Sequence, residues 1–124
     1  MIPVLLVAVG GALGSVARYL VNVCATRMFG LGFPWGTLTV NVVGGFVMGM
    51  LAALLALKGG SQELRVFLLT GVLGGFTTFS AFSLDTVTLW ERGEIGLAGA
   101  YVAASFALSI CALVAGLALG RALG

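Results

Sequence analysis

Histidine is absent from the chain, and of its 124 residues only six are Lys or Arg and four are Asp or Glu. Without imidazole there are no histidine metal sites and no imidazole proton relays. A soluble domain of this length carries about 25% charged residues. At 8% charged, this chain has no room for a soluble domain. Cys24 and Cys111 stand far apart and form no CxxC, so they read as small apolar residues in helices. The opening Met1-Ile2-Pro3-Val4 lacks a basic segment and no small-residue cleavage site follows, so the first apolar run reads as a retained span. No nucleophile–base pair and no metal cluster stands out, which argues against an enzyme.

What fills the sequence instead is apolar: 60% hydrophobic residues, with a mean hydropathy of +1.20. A membrane-spanning helix needs about 20 mostly apolar residues. Segments of about 2–26, 35–57, 64–90 and 95–119 qualify, joined by short links. The expected fold is all-α and integral to the membrane, a single four-helix transmembrane domain over 1–124 with both termini on one side. Lys58, Arg65 and Arg121 fall on the N-terminal side; Arg27 and Arg92 fall on the other, with Arg18 if it reaches that surface. The Lys/Arg bias that orients membrane proteins is therefore close to zero. Insertion in both orientations is expected, with an antiparallel, dual-topology homodimer as the assembly. Small residues, Gly10, Gly14 and Ala17 in the first helix and the GxxxG of Gly45 and Gly49 in the second, permit close backbone approach, either within the fold or at a dimer interface.

The third segment is unlike an ordinary span. From Gly71 to Ser83 it combines Gly71, Gly74 and Gly75 with the hydroxyls of Thr77, Thr78, Ser80 and Ser83 and the rings of Phe76, Phe79 and Phe82. Glycines weaken a helix, and hydroxyls can satisfy the backbone groups that a break frees. Non-helical backbone at membrane depth is tolerated only where protein or a wet cavity covers it. The third helix is therefore expected to be broken near Gly74–Ser80, at a place that handles an ion. The phenylalanines recur every third residue, along one side of a continuous helix. Aromatic rings carry a positive edge, which can face a small anion without trapping it.

Polar groups inside a membrane are costly. Arg18, late in the first helix, reads either as an anchor whose stem snorkels to the interface or as a vestibule cation for anions. Asn41 shares a face with Thr37, four residues away. Its amide serves either an interhelical hydrogen bond or an anion path. Asp85 lies a turn beyond Phe82 and is a cap, a vestibule group or an interfacial residue. Tyr101, Ser105 and Ser109 form a polar stripe on the fourth helix. Serines in such places often bond their own i−4 carbonyls; the alternative is the wall of a path.

Three motifs taken together resemble the Fluc (CrcB) family of fluoride channels: GGxxGxxxRY at Gly10–Tyr19, GTLxVNxxGxFxxG at Gly36–Gly49 and GGxTTFSxFS at Gly74–Ser83. The likeness covers essentially the whole chain. It implies an antiparallel dual-topology dimer with two fluoride pores, and a structural Na⁺ held at the dimer interface by backbone carbonyls at Gly74 and Thr77. It implies pathway roles for Asn41, Thr37, Phe79, Phe82, Tyr101, Ser105 and Ser109, and a vestibule role for Arg18. The implied partners are fluoride, the lipid bilayer and a second copy of the chain, in a prokaryotic inner membrane, with no organic cofactor and no nucleic acid. Ala81 stands where Thr is common in the family, and Asp85 where Glu is common. Two other readings fit the size: a proton-coupled exporter of the small multidrug resistance type, and a non-transporting assembly protein. The first needs an acid in the first helix, where this chain has Arg18 instead. The second explains the glycines but not Asn41 with the hydroxyl-rich segment.

Overall fold

The computed structural model describes residues 1–124 and is helical throughout, with no strands. Helix α1 spans Ile2–Phe29 and α2 spans Trp35–Lys58. The third crossing is composite: α3 (Gln62–Arg65), a π-wound segment (Val66–Leu73), α4 (Gly74–Phe76) and α5 (Ser80–Glu91). Helix α6 (Ile95–Leu123) completes the chain. Four stretches, Ile2–Phe29, Trp35–Lys58, Gln62–Glu91 and Ile95–Leu123, are long and apolar enough to cross a membrane.

The helices end where the backbone must turn. Gly30, Gly59 and Gly93 take φ of 78°, 70° and 81°, a region that side chains with a Cβ avoid. Helix α1 therefore continues past Thr26 to Phe29, since nothing before Gly30 stops it. At the start of the third crossing, Ser61 caps α3 by accepting the Leu64 N–H at 3.1 Å.

Only 18 of the 124 residues are buried within the chain, so the helices leave most apolar side chains turned outward. On α1, Val4, Leu5, Val9, Leu13, Val16 and Leu20 all face away from the bundle. Such a surface suits hydrocarbon, where an apolar exterior costs nothing. What holds the bundle is close backbone packing at glycine. Gly45 and Gly49 of α2 lie on the carbonyls of Ser109 and Leu113 in α6. Gly116 of α6 lies in return on the Phe46 carbonyl, and Gly120 on that of Met50. Gly10 and Gly14 of α1 press on the π-wound segment, against the Phe67 and Val72 carbonyls. The small-residue faces of α1 and α2 are thus used inside the chain.

Between α4 and α5 the helical ladder stops. Thr77 is extended, with φ −84° and ψ 160°, and helical hydrogen bonding resumes at Ser80. Phe76 therefore does not share a face with Phe79 and Phe82, as a continuous helix would require. It stays on α4, where its ring packs toward Gly44.

Candidate ion pathway

Two side chains, from α1 and α2, hold the segment around Thr77. Asn41 donates from Nδ2 to the Thr78 carbonyl at 3.0 Å, and its Oδ1 accepts the Thr78 N–H at 2.9 Å. Both main-chain groups of Thr78 are thus satisfied by one amide, as a neighbouring strand would do. Asn41 thus bonds the non-helical segment between α4 and α5, and one amide hydrogen of Nδ2 is still free of protein partners. On the other side, Arg18 donates from Nε to the Gly75 carbonyl at 3.1 Å. Its guanidinium is half-buried against α4.

Side-chain hydroxyls complete the turn. Thr78 Oγ1 accepts the Ala81 N–H at 3.1 Å and lies 3.3 Å from Ser80 Oγ. It thereby caps the first turn of α5. Thr77 Oγ1 donates back to the Leu73 carbonyl at 3.0 Å. The carbonyls of Gly74 and Thr77 receive no hydrogen bond from any backbone or side-chain donor. Free carbonyl oxygens are the ligands a hard cation prefers, so this pair fits the Na⁺ that the resemblance implies. No three His, Cys, Asp or Glu side chains come together to offer another kind of site.

Beside this turn lies a cavity of about 330 Å³, bounded by α2, the residues around Thr77, α5 and α6. Its polar lining comes from Asn41, Thr77, Thr78, Ser105 and Ser109. Phe79, Phe82 and Phe106 supply aromatic lining, and Met48, Ile110 and Leu113 extend the apolar part. Ser105 Oγ and Ser109 Oγ are buried and have no hydrogen-bond partner. The contrast with other hydroxyls in the chain is direct. Ser83, Thr86 and Thr88 all donate to their own i−4 carbonyls, at 3.0, 2.8 and 2.8 Å. Ser105 and Ser109 do not, although the same bond is sterically available in a helix. A buried hydroxyl without a partner costs about 1–3 kcal/mol, so two of them side by side point to an occupant of the cavity.

The two expected pathway phenylalanines take different positions. Phe82 is 8% exposed, with its ring centroid 5.5 Å from Phe79, 5.2 Å from Tyr101 and 5.8 Å from Phe106. Phe79 is 70% exposed and projects from the chain. Tyr101 is wholly buried behind Phe82, and its hydroxyl donates to Asp85 Oδ2 at 3.1 Å. Thr37, though one turn from Asn41, lines a different cavity. That second space, of about 180 Å³, is bounded also by Asn22, Asp85, Thr88 and Arg92 near the end of the bundle. There Arg92 Nη1 donates to the Leu31 carbonyl at 3.2 Å, tying two connecting loops together.

Of the residues singled out in the sequence, Asn41, Thr77, Phe79, Phe82, Ser105 and Ser109 therefore meet at one cavity. Tyr101 stands between that cavity and the one holding Thr37, while Arg18 and Gly74 lie outside both linings. Sequence reasoning did not single out Thr78 as the residue Asn41 grips, nor Phe106 as part of the wall. The signal for Phe106 was its place next to Ser105 in the polar stripe.

A family model described as CrcB-like protein, Camphor Resistance (CrcB), matches residues 5–117. The chain is 60% identical over 122 residues to a protein of Agrobacterium fabrum named fluoride-specific ion channel FluC, covering 98% of each. It is 61% identical over 124 residues to a protein of that name from Rhizobium etli, covering 99% of each. A third of that name, from Paracoccus denitrificans, is 64% identical over 117 residues, covering 94% of this chain and 93% of its own.

Proposed function

Because the chain belongs to the CrcB-like family, we propose that it is a passive fluoride-selective channel of a prokaryotic plasma membrane, through which the anion leaves the cell and its toxicity is relieved. The observation that carries this reading is a cavity whose lining joins two serines with buried, unpartnered hydroxyls to the rings of Phe79, Phe82 and Phe106. Hydroxyl and amide N–H donors suit a small, hard anion that must shed water. Ring edges add a weak positive field without strong binding, and conduction needs easy release as much as easy admission.

Hydrogen fluoride is a weak acid. It crosses membranes neutral, dissociates in the less acidic interior, and leaves the anion trapped. An interior-negative potential drives the anion out with about 2.3 kcal/mol per charge per 100 mV. Inside the protein, the free Nδ2 hydrogen of Asn41 and the Ser105 and Ser109 hydroxyls replace lost water, while Phe79 and Phe82 add aromatic lining to the same cavity. Chloride, larger and more weakly hydrated, gains less from these few donors and does not fit the narrow path. Arg18 contributes positive charge to the vestibule.

The assembly that fits is an antiparallel, dual-topology homodimer with two pores. The near-zero Lys/Arg bias supports it, and so does the outward projection of Phe79, which a second copy would cover. The free Gly74 and Thr77 carbonyls would hold a structural Na⁺ at that interface.

Efflux from liposomes containing the purified protein, loaded with either fluoride or chloride and followed by ion-selective electrodes, tests the reading. Rapid fluoride release with negligible chloride release is expected. A folded sample that releases no fluoride overturns it.

A further inference from the structure

Phe82 does not hold its own orientation. Its ring is contacted by three others, and these contacts differ in kind. Phe79 and Tyr101 lie tilted to it, at 46° and 44°, whereas Phe106 meets it at 84°, an edge-to-face pair with centroids 5.8 Å apart. Edge-to-face is the arrangement favoured by the ring quadrupoles, and it resists rotation because turning either ring loses the electrostatic match. Phe106 comes from α6, directly after Ser105, which lines the same cavity and whose buried hydroxyl has no partner. A backbone shift at that turn would therefore move a hydroxyl and a ring together.

We propose that Phe106 is a positioning residue of the pathway, one that locks the Phe82 ring and thereby fixes which part of that ring faces the permeating anion. The inference rests on the channel reading above. Tyr101 cannot do this work alone. It is wholly buried behind Phe82, with its hydroxyl committed to Asp85, and it backs the ring without closing it on the cavity side. Phe106 lines the cavity itself and is 52% exposed, so its other half is free of contacts within the chain. A leucine there would fill similar space on Phe82 but has no quadrupole to set the angle.

The test compares fluoride release from liposomes for the unaltered protein, Phe106→Leu and Phe106→Tyr, at matched protein content and with monodispersity checked before reconstitution. Phe106→Leu is expected to slow fluoride release by about three- to tenfold, the span of an aromatic pair's worth. Phe106→Tyr keeps the ring and is expected to stay within about twofold of the unaltered protein. Should Phe106→Leu fail to give a monodisperse sample, Phe106→Met, likewise flexible and ringless, takes its place. Equal rates for the ringless variant and the unaltered protein overturn the proposal. So do equal losses in the ringless and Tyr variants, because the ring would then not be what matters. Absence of fluoride release from the unaltered protein would instead sink the channel reading on which the proposal rests.

Discussion

The side-chain amide of Asn41 satisfies both main-chain groups of Thr78, at 3.0 and 2.9 Å. The consequence runs further than one contact. Thr78 Oγ1 caps the first turn of α5, and α5 carries Phe82, while Phe79 is its N-terminal flank. Asn41 on α2 thus sets where the aromatic wall begins. Asn41→Ala removes a donor and an acceptor at once and leaves the part-buried N–H and C=O of Thr78 without their partner. It is expected to lower stability by about 1–3 kcal/mol. Fluoride release should fall by at least about tenfold, the equivalent of 1.4 kcal/mol. Asn41→Asp keeps the acceptor for the Thr78 N–H but turns an oxygen toward the Thr78 carbonyl, and it should fare no better. Thermal unfolding in detergent and liposome efflux measure the two quantities; unchanged efflux in Asn41→Ala would remove this residue from the pathway.

Ser105 and Ser109 predict the opposite pairing of effects. Each buries a hydroxyl with no partner, so replacing it by alanine removes a cost. Ser105→Ala and Ser109→Ala should leave thermal stability unchanged or raised by up to about 1 kcal/mol. Fluoride release should nevertheless fall, because the donors that replace water are gone. A loss of stability with unchanged efflux would mean that the hydroxyls serve folding.

Phe79 and Phe82 separate along the same two axes. Isoleucine at either position removes the ring and should abolish fluoride release without preventing assembly. Phe82 lies in the chain's own core against Tyr101 and Phe106, so Phe82→Ile should also destabilise the fold by about 1–3 kcal/mol. Phe79 is mostly exposed on the chain, and Phe79→Ile should cost the fold little. Normal fluoride flux in both variants would contradict an aromatic wall.

How far the sequence alone leads depends on whether a feature is set by composition or by contact. The four membrane-length stretches follow from apolar length, which the bilayer thickness dictates. The Ser105–Ser109 alignment follows from helical periodicity, and those residues share a cavity. For Thr37 and Asn41 the same periodicity gives a shared face but not a shared cavity. Four residues along α2 is about 6 Å of rise, enough to put them in different cavities with buried Tyr101 in the region between. Periodicity misleads for Phe76, because a three-residue spacing describes one face only while the helix is continuous, and Thr77 is extended. The grip of Asn41 on Thr78 joins residues 37 apart in the chain, and no local pattern encodes it.

Glycine offers the last contrast, between positions that look alike in the sequence. At Gly49 a Cβ would collide with the Leu113 carbonyl, and at Gly116 with the Phe46 carbonyl. Backbone cannot yield there without pushing α2 and α6 apart. Gly49→Ala and Gly116→Ala should therefore destabilise strongly, by about 1–3 kcal/mol or more, as overpacking does. Gly96 and Gly99, also in α6, have open space where a Cβ would go. Alanine at those sites should instead raise stability by up to about 1 kcal/mol, since it favours the helix. Thermal unfolding of the four variants decides the matter. Equal effects at all four would mean that α2 and α6 are not held by direct backbone contact. In that case the cavity wall that α6 brings to Asn41 would need another source of rigidity.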